Sequence, residues 1–430
     1  MSHDVVFALD IGTTKVCMVA GRKNEHGRIE ILGVGRVSSK GILRGVVSNI
    51  EKTVQSILEA KAICERSAGC IAKEVYVGIA GKHISSKMQR GLLTRHNHQN
   101  EISHEDVDQL INDMNKLVLP PGDMILHIIP QEYMVDNERG IFDPVGMAGV
   151  RLEGNFHIIT AQSNAMRNIS RCVEKAGMRV AEITLEPIAS AAAVLSEEEK
   201  TAGIVLMDIG GGTTDISIYH NGILRKSVIV PFGGTNITED IKEGCKVMQE
   251  DAEKLKTKFG RALSDEVTGN RYISIQGLKG REPKEISERN LASIIEARMS
   301  EILEFGVREI QKSGIEEKLV GGMVLTGGGS LLSGVNMLSE YVTGMPTRIG
   351  MPIDILAHGY SQEICDPSYS TVLGLLINGI NKQRVPVVET GEDREMEGTT
   401  PPEGEDGMDV PENIWEKLRK IFGPQIDTEI

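Results

Sequence analysis

The sequence predicts a duplicated α/β fold in which two related domains enclose a cleft. Two observations support this prediction: a glycine- and threonine-rich turn occurs twice, and the pattern of strands and helices around it recurs. The first turn is Asp10-Ile11-Gly12-Thr13-Thr14-Lys15, and the second turn is Asp208-Ile209-Gly210-Gly211-Gly212-Thr213-Thr214-Asp215. Because the turn and the surrounding element order both recur, we interpret the chain as an internal duplication. The leading aspartates of the two turns lie 198 residues apart.

Each turn is predicted to join the two strands of a hairpin. Apolar runs flank the turns at residues 5–9 and 16–20 in the first half, and at 204–207 and 216–219 in the second. Glycine lets the backbone approach an anion, and turn N–H groups and threonine hydroxyls can donate to phosphate oxygens. A single turn of this kind often only closes a hairpin. Two that face one another predict a nucleotide held between the halves.

A third glycine-rich element is Val324-Leu325-Thr326-Gly327-Gly328-Gly329-Ser330, an apolar strand that ends in glycines and precedes a predicted helix over 331–341. Such an arrangement offers a flat backbone surface for an adenosine. The patterns GxxxxGK[ST] and GxGxxG of other nucleotide-binding folds are absent. The three elements in this order resemble the phosphate 1, phosphate 2 and adenosine motifs of the actin-type ATPase superfamily.

The order of elements is predicted to be βββαβ in each half. In the first half a strand over 28–36, a helix that ends near Gly69 and a strand over 74–79 follow the hairpin. In the second half the turn Asn221-Gly222 leads to a strand over 223–231, followed by helices and the strand at Val324. Each half contains an insertion, at 83–160 and at about 241–317. A capping signal at Ser103 predicts a helix from there to about residue 117 in the first insertion, between strands over 124–129 and 156–160. The second is predicted to contain helices over 251–259 and 285–312.

Composition limits the class of protein. The chain has 430 residues, 40% of them hydrophobic, which is enough for two or more domains. The net charge is −14, and residues 389–412 hold ten acidic residues and one arginine, so the remainder is nearly neutral and nucleic acid is not an expected partner. Six cysteines without CxxC spacing are typical of reduced thiols. We expect neither a signal peptide nor a transmembrane helix.

The C-terminal region has two parts. Residues 389–412 are rich in Glu, Asp, Gly and Pro without apolar periodicity, which predicts a disordered linker. Residues 413–430 begin with a short amphipathic helix that contains the only tryptophan, and it can bind a membrane surface, dock on the folded body or occupy a protein groove. The acidic linker favours the membrane. The residues predicted to contact lipid are Ile414, Trp415, Lys417, Leu418, Arg419, Lys420, Ile421 and Phe422.

Further motifs resemble those of the FtsA family, the actin-like bacterial cell-division proteins, over essentially the whole folded length. These motifs are GIAGKHI at 78–84, LHIIPQEY at 126–133, DPVGM at 143–147, GVRLE at 149–153 and YSTVLGLL at 369–376. The insertion at 83–160 fits the family's relocated subdomain 1C, which actin, MreB and the heat-shock chaperones lack. The pilus-assembly relative PilM shares it, but is not expected to carry the tail.

The resemblance implies an actin-like, ribonuclease H-like ATPase fold with subdomains 1A, 1C, 2A and 2B. The implied limits are 1–82, 161–200 and 362–388 for 1A, 83–160 for 1C, 201–240 and 318–361 for 2A, and 241–317 for 2B. It also implies that the protein polymerises, anchors the ring of FtsZ to the cytoplasmic face of the inner membrane at the division site, and recruits later division proteins through 1C. ATP is required for assembly, and at most slow ATPase activity is expected.

The resemblance also assigns roles in a Mg-ATP site. Asp10 and Asp208 are expected to hold Mg²⁺ through water, and Glu186, ahead of Pro187, to orient the attacking water, unless it only caps a helix. Together Glu186 and Asp208 are the predicted catalytic residues. Lys15 either neutralises phosphate charge or points away along the hairpin. The remaining nucleotide-binding residues are Gly12, Thr13, Thr14, Gly210, Gly211, Gly212, Thr213, Thr214, Asp215, Gly327, Gly328, Gly329 and Ser330.

Three further sites were considered on the insertions. Glu253 and Lys256 resemble an ExxK pair that contacts the nucleoside, although residues three apart on a helix also form plain surface ion pairs. Arg298 lies in the subdomain that receives the C-terminal peptide of FtsZ, and a solvated charge is its ordinary explanation. The histidines His96, His98 and His104 are not interpreted as a metal site, because no carboxylate or cysteine pattern accompanies them.

Three alternative functions share parts of this pattern. Sugar and acetate kinases have the same duplicated core, but a soluble phosphotransferase needs neither the 83–160 insertion nor a tethered amphipathic helix. The pilus-assembly protein PilM is not expected to carry the tail. A chaperone ATPase should append a peptide-binding β domain, and nothing after residue 388 could fold into one.

Overall fold

A computed structural model describes residues 5–95, 101–269, 271–276, 282–353, 356–357 and 362–383. The strands are β1 Val6–Ile11, β2 Lys15–Lys23, β3 Ile29–Ser38, β4 Ile42–Leu43, β5 Val46–Val47, β6 Glu74–Ile79, β7 Ile84–Thr94, β8 Asp123–Val135, β9 Glu138–Ile141, β10 Arg151–Gln162, β11 Arg179–Leu185, β12 Ile204–Ile209, β13 Thr214–His220, β14 Ile223–Val230, β15 Tyr272–Ile275, β16 Lys284–Ser287, β17 Met323–Thr326 and β18 Thr347–Ile349. The helices are α1 Ile50–Ala68, α2 His104–Asn115, α3 Ser163–Lys175, α4 Glu186–Val194, α5 Glu197–Ala202, α6 Gly234–Cys245, α7 Gln249–Phe259, α8 Glu288–Ser313, α9 Val335–Thr343 and α10 Ser370–Gln383.

Two five-stranded sheets have the same topology, which confirms the predicted duplication. The first sheet has the order β3-β2-β1-β6-β11, and the second sheet has the order β14-β13-β12-β17-β18. In each, three consecutive strands pair antiparallel and the two remaining strands join in parallel. The sequences of β1 and β12 are apolar except for one aspartate, and both strands are buried throughout. Runs of this kind are typical of central strands covered on both faces.

Helices α4 and α10 lie between the two sheets and join the halves. One apolar core contains Val6 of the first sheet, Leu206 of the second, and Leu373 and Leu376 of α10. The two helices approach closely because Gly374 has no side chain: a Cβ there would lie 1.7 Å from the carbonyl oxygen of Ala189. The end of β12 and the start of α10 are therefore held in fixed proximity, which matters for the site below.

The insertion after β6 forms a separate antiparallel sheet of order β7-β10-β8-β9 with α2 packed on one face. The predicted capping box is present, because Ser103 accepts a hydrogen bond from the Asp106 amide while the Asp106 carboxylate accepts one from the Ser103 amide. Tyr133 and Phe156 contact edge to face under α2, at a centroid distance of 6.2 Å. The helix ends at Asn115, two residues before the predicted limit.

Two predicted helix starts were wrong. Helix α8 begins at Glu288 instead of 285, because residues 284–287 form β16 and pair with β15. Helix α9 begins at Val335 instead of 331, because Gly328–Leu331 form a short 3₁₀ turn and Gly334, at φ +79°, separates it from the helix. The six cysteines are all free thiols, as predicted. No helix among the described ranges is both long enough and apolar enough to cross a bilayer.

Candidate functional site

A cavity of about 120 Å³ lies between the halves, where the first and second turns meet. Fourteen of the predicted residues line it. They are Asp10, Gly12, Thr13, Thr14, Lys15, Glu186, Asp208, Gly210, Gly211, Gly212, Thr213, Asp215, Gly327 and Gly328. Thr214, Glu253, Lys256, Gly329 and Ser330 lie outside its lining.

The strand registers show how the two turns correspond. Ile11 pairs with Val16 and Ile209 with Thr214, so each hairpin closes over four residues. A bond from the Gly12 amide to the Lys15 carbonyl (3.0 Å) has its counterpart between Gly210 and Thr213 (2.9 Å). In this register Lys15 corresponds to Thr213. Thr13 and Thr14 of the first turn therefore correspond to Gly211 and Gly212, and not to Thr213 and Thr214.

The two turns interlock because one carries side chains where the other has none. A Cβ built on Gly211 would lie 2.3 Å from the Thr14 methyl carbon, and one on Gly212 would lie 2.5 Å from the Thr13 hydroxyl oxygen. Such separations are far below van der Waals contact, so any side chain at these glycines would push the turns apart. The pair of glycines therefore lets the two halves close on each other.

Neighbouring backbone braces each turn. The Gly45 amide donates to the Thr13 hydroxyl oxygen at 3.1 Å, which leaves the hydroxyl proton of Thr13 free to point elsewhere. The amides of Gly234 and Thr235, at the start of α6, donate to the carbonyls of Gly210 and Gly211 at 2.9 and 2.7 Å. These bonds engage the carbonyl groups of Gly210 and Gly211, and both glycines line the cavity.

Asp10 and Lys15 form an ion pair inside the first turn. The Lys15 ammonium lies 3.0 Å from Asp10 Oδ2, also donates to the Ser368 carbonyl oxygen, and lies 5.6 Å from the centroid of the Tyr369 ring. Burial acts to lower the pKa of Lys15, but the Asp10 carboxylate outweighs it and the pKa is raised. Lys15 is thus a permanent cation in the cavity wall, directed toward the segment before α10.

Three further carboxylates share the cavity. Burial raises the pKa of Asp208, and it raises the pKa values of Asp215 and Glu186 well above their ordinary range, with the neighbouring aspartates adding to the effect. Asp215 Oδ1 is buried without a hydrogen-bond partner. Glu186 is the first residue of α4, and the N-cap is Leu185, so Glu186 does not cap the helix through its side chain. It faces the cavity instead.

This donor set fits a hydrated divalent cation with a polyphosphate. Four carboxylates share the cavity with the two cations Lys15 and Arg36, and a divalent cation would relieve the repulsion among the carboxylates. Among the described residues no three His, Cys, Asp or Glu side chains are grouped closely enough to hold a metal ion directly. Mg²⁺ commonly keeps several water ligands, which agrees with the predicted contact through water. The glycine faces and threonine hydroxyls of the turns suit phosphate oxygens.

The third predicted element abuts the second turn. A Cβ on Gly327, whose φ is +79°, would lie 2.2 Å from Asp208 Oδ1. The Ser330 hydroxyl donates back to the Gly327 carbonyl at 2.7 Å, and Gly329 packs on Ile209. Gly327 and Gly328 thus face the cleft, whereas Gly329 and Ser330 hold the shape of the turn.

Glu253 and Lys256 form their i,i+3 ion pair at 2.7 Å on α7. Lys256 also donates to the Gly234 carbonyl and the Thr238 hydroxyl, at 2.9 and 2.8 Å. Gly234 in turn donates to the second turn, so the pair supports the turn from outside the cavity lining.

Arg298 lies on α8, away from the cleft. Its guanidinium binds both carboxylate oxygens of Asp240 at 2.5 and 3.0 Å and also pairs with Glu301. It is therefore an ion-paired residue between α8 and α6 and not a simple solvated charge.

Some predicted residues lie outside the described part of the chain. These are the linker 389–412, the tail 413–430 with all its predicted lipid-contacting residues, and His96 and His98. His104 is the first residue of α2.

Sequence reasoning assigned no role to seven residues that line the cavity or bind its carboxylates: Ile11, Arg36, Gly45, Ala80, Ser190, Ser368 and Thr371. For Thr371 and Ala80 the sequence offered a weak signal, because they lie in the motifs at 369–376 and 78–84. No role followed from that signal.

Comparisons with known proteins agree with this architecture. The family model described as "Cell division protein FtsA" matches residues 205–374, and "SHS2 domain inserted in FTSA" matches residues 81–160. The chain is 37% identical to the cell division protein FtsA of Pseudomonas aeruginosa over 382 residues, covering 89% of this chain and 91% of the relative. It is 34% identical to the FtsA proteins of Escherichia coli K12 and Bacillus subtilis, covering 87% of this chain and 90% and 83% of them.

Solved structures show the same fold at low identity. The PilM-PilN type IV pilus biogenesis complex matches with a TM-score of 0.63 and 14% identity, covering 87% of this chain and 98% of that one. MreB5 of Spiroplasma citri bound to ADP matches with a TM-score of 0.53 and 16% identity, covering 90% and 99%. These likenesses confirm the predicted actin-like fold.

Proposed function

The chain belongs to the FtsA family of cell division proteins, and on that premise we propose that it binds Mg-ATP in the cleft, polymerises, and tethers FtsZ filaments to the membrane. The observation that carries the nucleotide part is the interlocked pair of turns over a cavity with four carboxylates. The MreB5 structure with the same fold is described as bound to ADP, which supports a nucleotide here.

The residues of the cleft divide the work of holding Mg-ATP. The turn amides and the hydroxyls of Thr13, Thr14 and Thr213 bind phosphate oxygens, and Lys15 neutralises part of their charge. Asp10 and Asp208 would hold the water ligands of Mg²⁺. The ion would neutralise negative charge on the phosphates when the nucleotide is bound. Gly327 and Gly328 provide the backbone surface for the adenosine, with Glu253 and Lys256 supporting the adjoining turn.

Glu186 is suited to act on water. Its raised pKa makes it a stronger base once ionised, and it faces the same cavity as Asp208. We propose that it orients a water for slow ATP hydrolysis, so that binding and assembly are the main activity. No observation favours a sugar or acetate phosphotransferase over this function.

The partners follow from the family. We propose that the C-terminal peptide of FtsZ binds the 241–317 insertion, subdomain 2B, near Arg298, where an acidic peptide would exchange with Asp240 and Glu301. The sheet at 83–160, subdomain 1C, is proposed to receive later division proteins, and copies of the chain to assemble into a filament. The protein would then act on the cytoplasmic side of the inner membrane at the division site.

The tail provides the proposed tether. Its apolar residues lie at helical spacing with lysines and arginine beside them, and burial of large apolar side chains contributes about 1.5–3 kcal/mol each. Each basic residue near anionic lipid adds about 1 kcal/mol. Binding of one copy is reversible, and assembly of many copies strengthens it.

Co-sedimentation of FtsZ with anionic vesicles and ATP tests the function. The intact chain should carry FtsZ into the vesicle pellet, whereas the chain without residues 413–430, or with Trp415→Glu and Phe422→Glu, should leave both in the supernatant and still bind nucleotide. Val410→Glu adds an acid outside the helix and should pellet normally. Equal pelleting of intact and truncated protein would contradict the tether.

A further inference from the structure

The carboxylate of Asp208 is held by hydroxyls from two helices. Ser190 of α4 donates to Asp208 Oδ2 at 2.6 Å, and Thr371 of α10 donates to the same oxygen at 3.2 Å. The two hydroxyl oxygens lie 3.1 Å apart. All three residues are buried, with Ser190 at 0% exposure. The cluster joins the second turn to both helices that connect the halves.

The geometry fixes the direction of the carboxylate. Oδ2 accepts both hydroxyl protons, while Oδ1 lies beside Gly327, where an added Cβ would be only 2.2 Å away. The absence of a side chain at Gly327 leaves room for Oδ1, and Asp208, Thr371 and Gly327 all line the cavity. One oxygen is thus anchored and the other is available to a ligand.

Asp10, at the corresponding position of the first turn, is anchored differently. Its Oδ2 accepts from the Lys15 ammonium at 3.0 Å, so it has a cation where Asp208 has two neutral donors. Hydroxyl donors orient a carboxylate without neutralising its charge. The ionised carboxylate of Asp208 can therefore interact with a divalent cation at full charge.

We infer that Ser190 and Thr371 are positioning residues that orient Asp208 toward the hydrated Mg²⁺ of the bound nucleotide and tie that ion to α4 and α10. The inference rests on the proposed Mg-ATP site and extends it.

The test is a titration of Mg²⁺ at a fixed concentration of a fluorescent ATP analogue, with a parallel titration of the analogue in EDTA. Thr371→Val removes the donor at nearly constant volume and should raise the half-saturating Mg²⁺ concentration about tenfold. Ser190→Ala should raise this concentration by at least the same factor. Thr371→Ser keeps the hydroxyl and should restore the wild-type value within about twofold. Affinity in EDTA should be unchanged in all variants.

Ser339→Ala is the matched control. Its hydroxyl is equally buried, lies 3.0 Å from the Thr347 hydroxyl and faces no part of the cleft, so the Mg²⁺ requirement should not change. If Thr371→Val weakens binding equally in EDTA, or if Thr371→Ser fails to rescue, the hydroxyls act only in packing and the inference is wrong. Absence of Mg-dependent binding by the wild type would instead refute the proposed site itself.

Discussion

The first and second turns occupy corresponding positions in the two halves, yet they differ in side-chain size at the facing positions and in the groups that bind their aspartates. The first turn carries two threonines and a lysine, and its aspartate is paired with that lysine at 3.0 Å. The second turn carries two glycines at the facing positions, and its aspartate is held by neutral hydroxyls. Duplication therefore produced two complementary surfaces, and the bulk of one fits the space left by the other.

The same difference suits the two turns to different parts of one ligand. In the first turn the positive charge of Lys15 suits phosphate, whereas the second turn adds Asp215, whose Oδ1 is buried without a partner, and suits a cation. Two identical turns could not offer both. A ligand that contains phosphate and a divalent cation matches the pair.

The largest expected effect separates the two aspartates. Asp208→Ala should weaken Mg-ATP binding by about 100-fold, because Mg²⁺ loses a carboxylate that neutral hydroxyls hold, with no direct ion pair to a lysine. Asp10→Ala should weaken it by only about tenfold, since the loss also frees Lys15 to neutralise phosphate. Isothermal titration calorimetry of both variants measures the ratio. Equal losses, or unchanged affinity in Asp208→Ala, would remove the proposed asymmetry.

An intermediate effect tests the interlocking of the turns. Gly211→Ala places a methyl group against the Thr14 methyl and should reduce nucleotide affinity roughly 10- to 50-fold, as overpacking costs about 1–3 kcal/mol. Thr14→Ser removes that methyl and leaves a hydroxyl that would lie 2.8 Å from the new Cβ and can rotate away, so the double variant should recover part of the affinity. Thr14→Ser alone serves as the control and should bind normally. A double variant as weak as Gly211→Ala would show that the turns do not meet in this way.

The smallest expected effect concerns Glu186, which faces both turns and belongs to neither. Its folded-state pKa is raised, so the folded state holds a proton that the unfolded chain releases above about pH 4.3, and the free energy of unfolding falls as pH rises. Glu186→Gln should therefore raise the melting temperature of the nucleotide-free protein by roughly 1–3 °C at neutral pH. Near pH 4.5 the gain should vanish. A gain independent of pH would show that the carboxyl is not the cause.

The sequence predicted the turns, the duplicated topology and the two insertions because these leave local signals. Apolar runs ending in glycine and aspartate mark β1 and β12, and the capping box at Ser103 marks α2. The predicted starts of α8 and α9 were wrong, because residues 284–287 pair with a strand that the sequence does not reveal and Gly328–Leu331 form a 3₁₀ turn before α9.

The contacts across the cleft could not be predicted from the sequence. The bond between Thr371 and Asp208 joins residues 163 positions apart, and the one between Ser190 and Thr371 joins residues 181 apart. Both depend on how α4 and α10 cross at Gly374, which is a property of packing. The register of the turns also depends on strand pairing, which places Thr213 opposite Lys15 in the correspondence although each turn contains two adjacent threonines.

We propose that a divalent cation lies between Asp10 and Asp208 when nucleotide is bound. Crystals grown with ATP or a non-hydrolysable analogue and with Mn²⁺ in place of Mg²⁺ would locate the ion by its anomalous scattering. We expect one strong peak in the cleft, linked through water to Asp10 and Asp208, beside the phosphates. A peak elsewhere, or phosphates bound in the cleft with no ion near either aspartate, would contradict it.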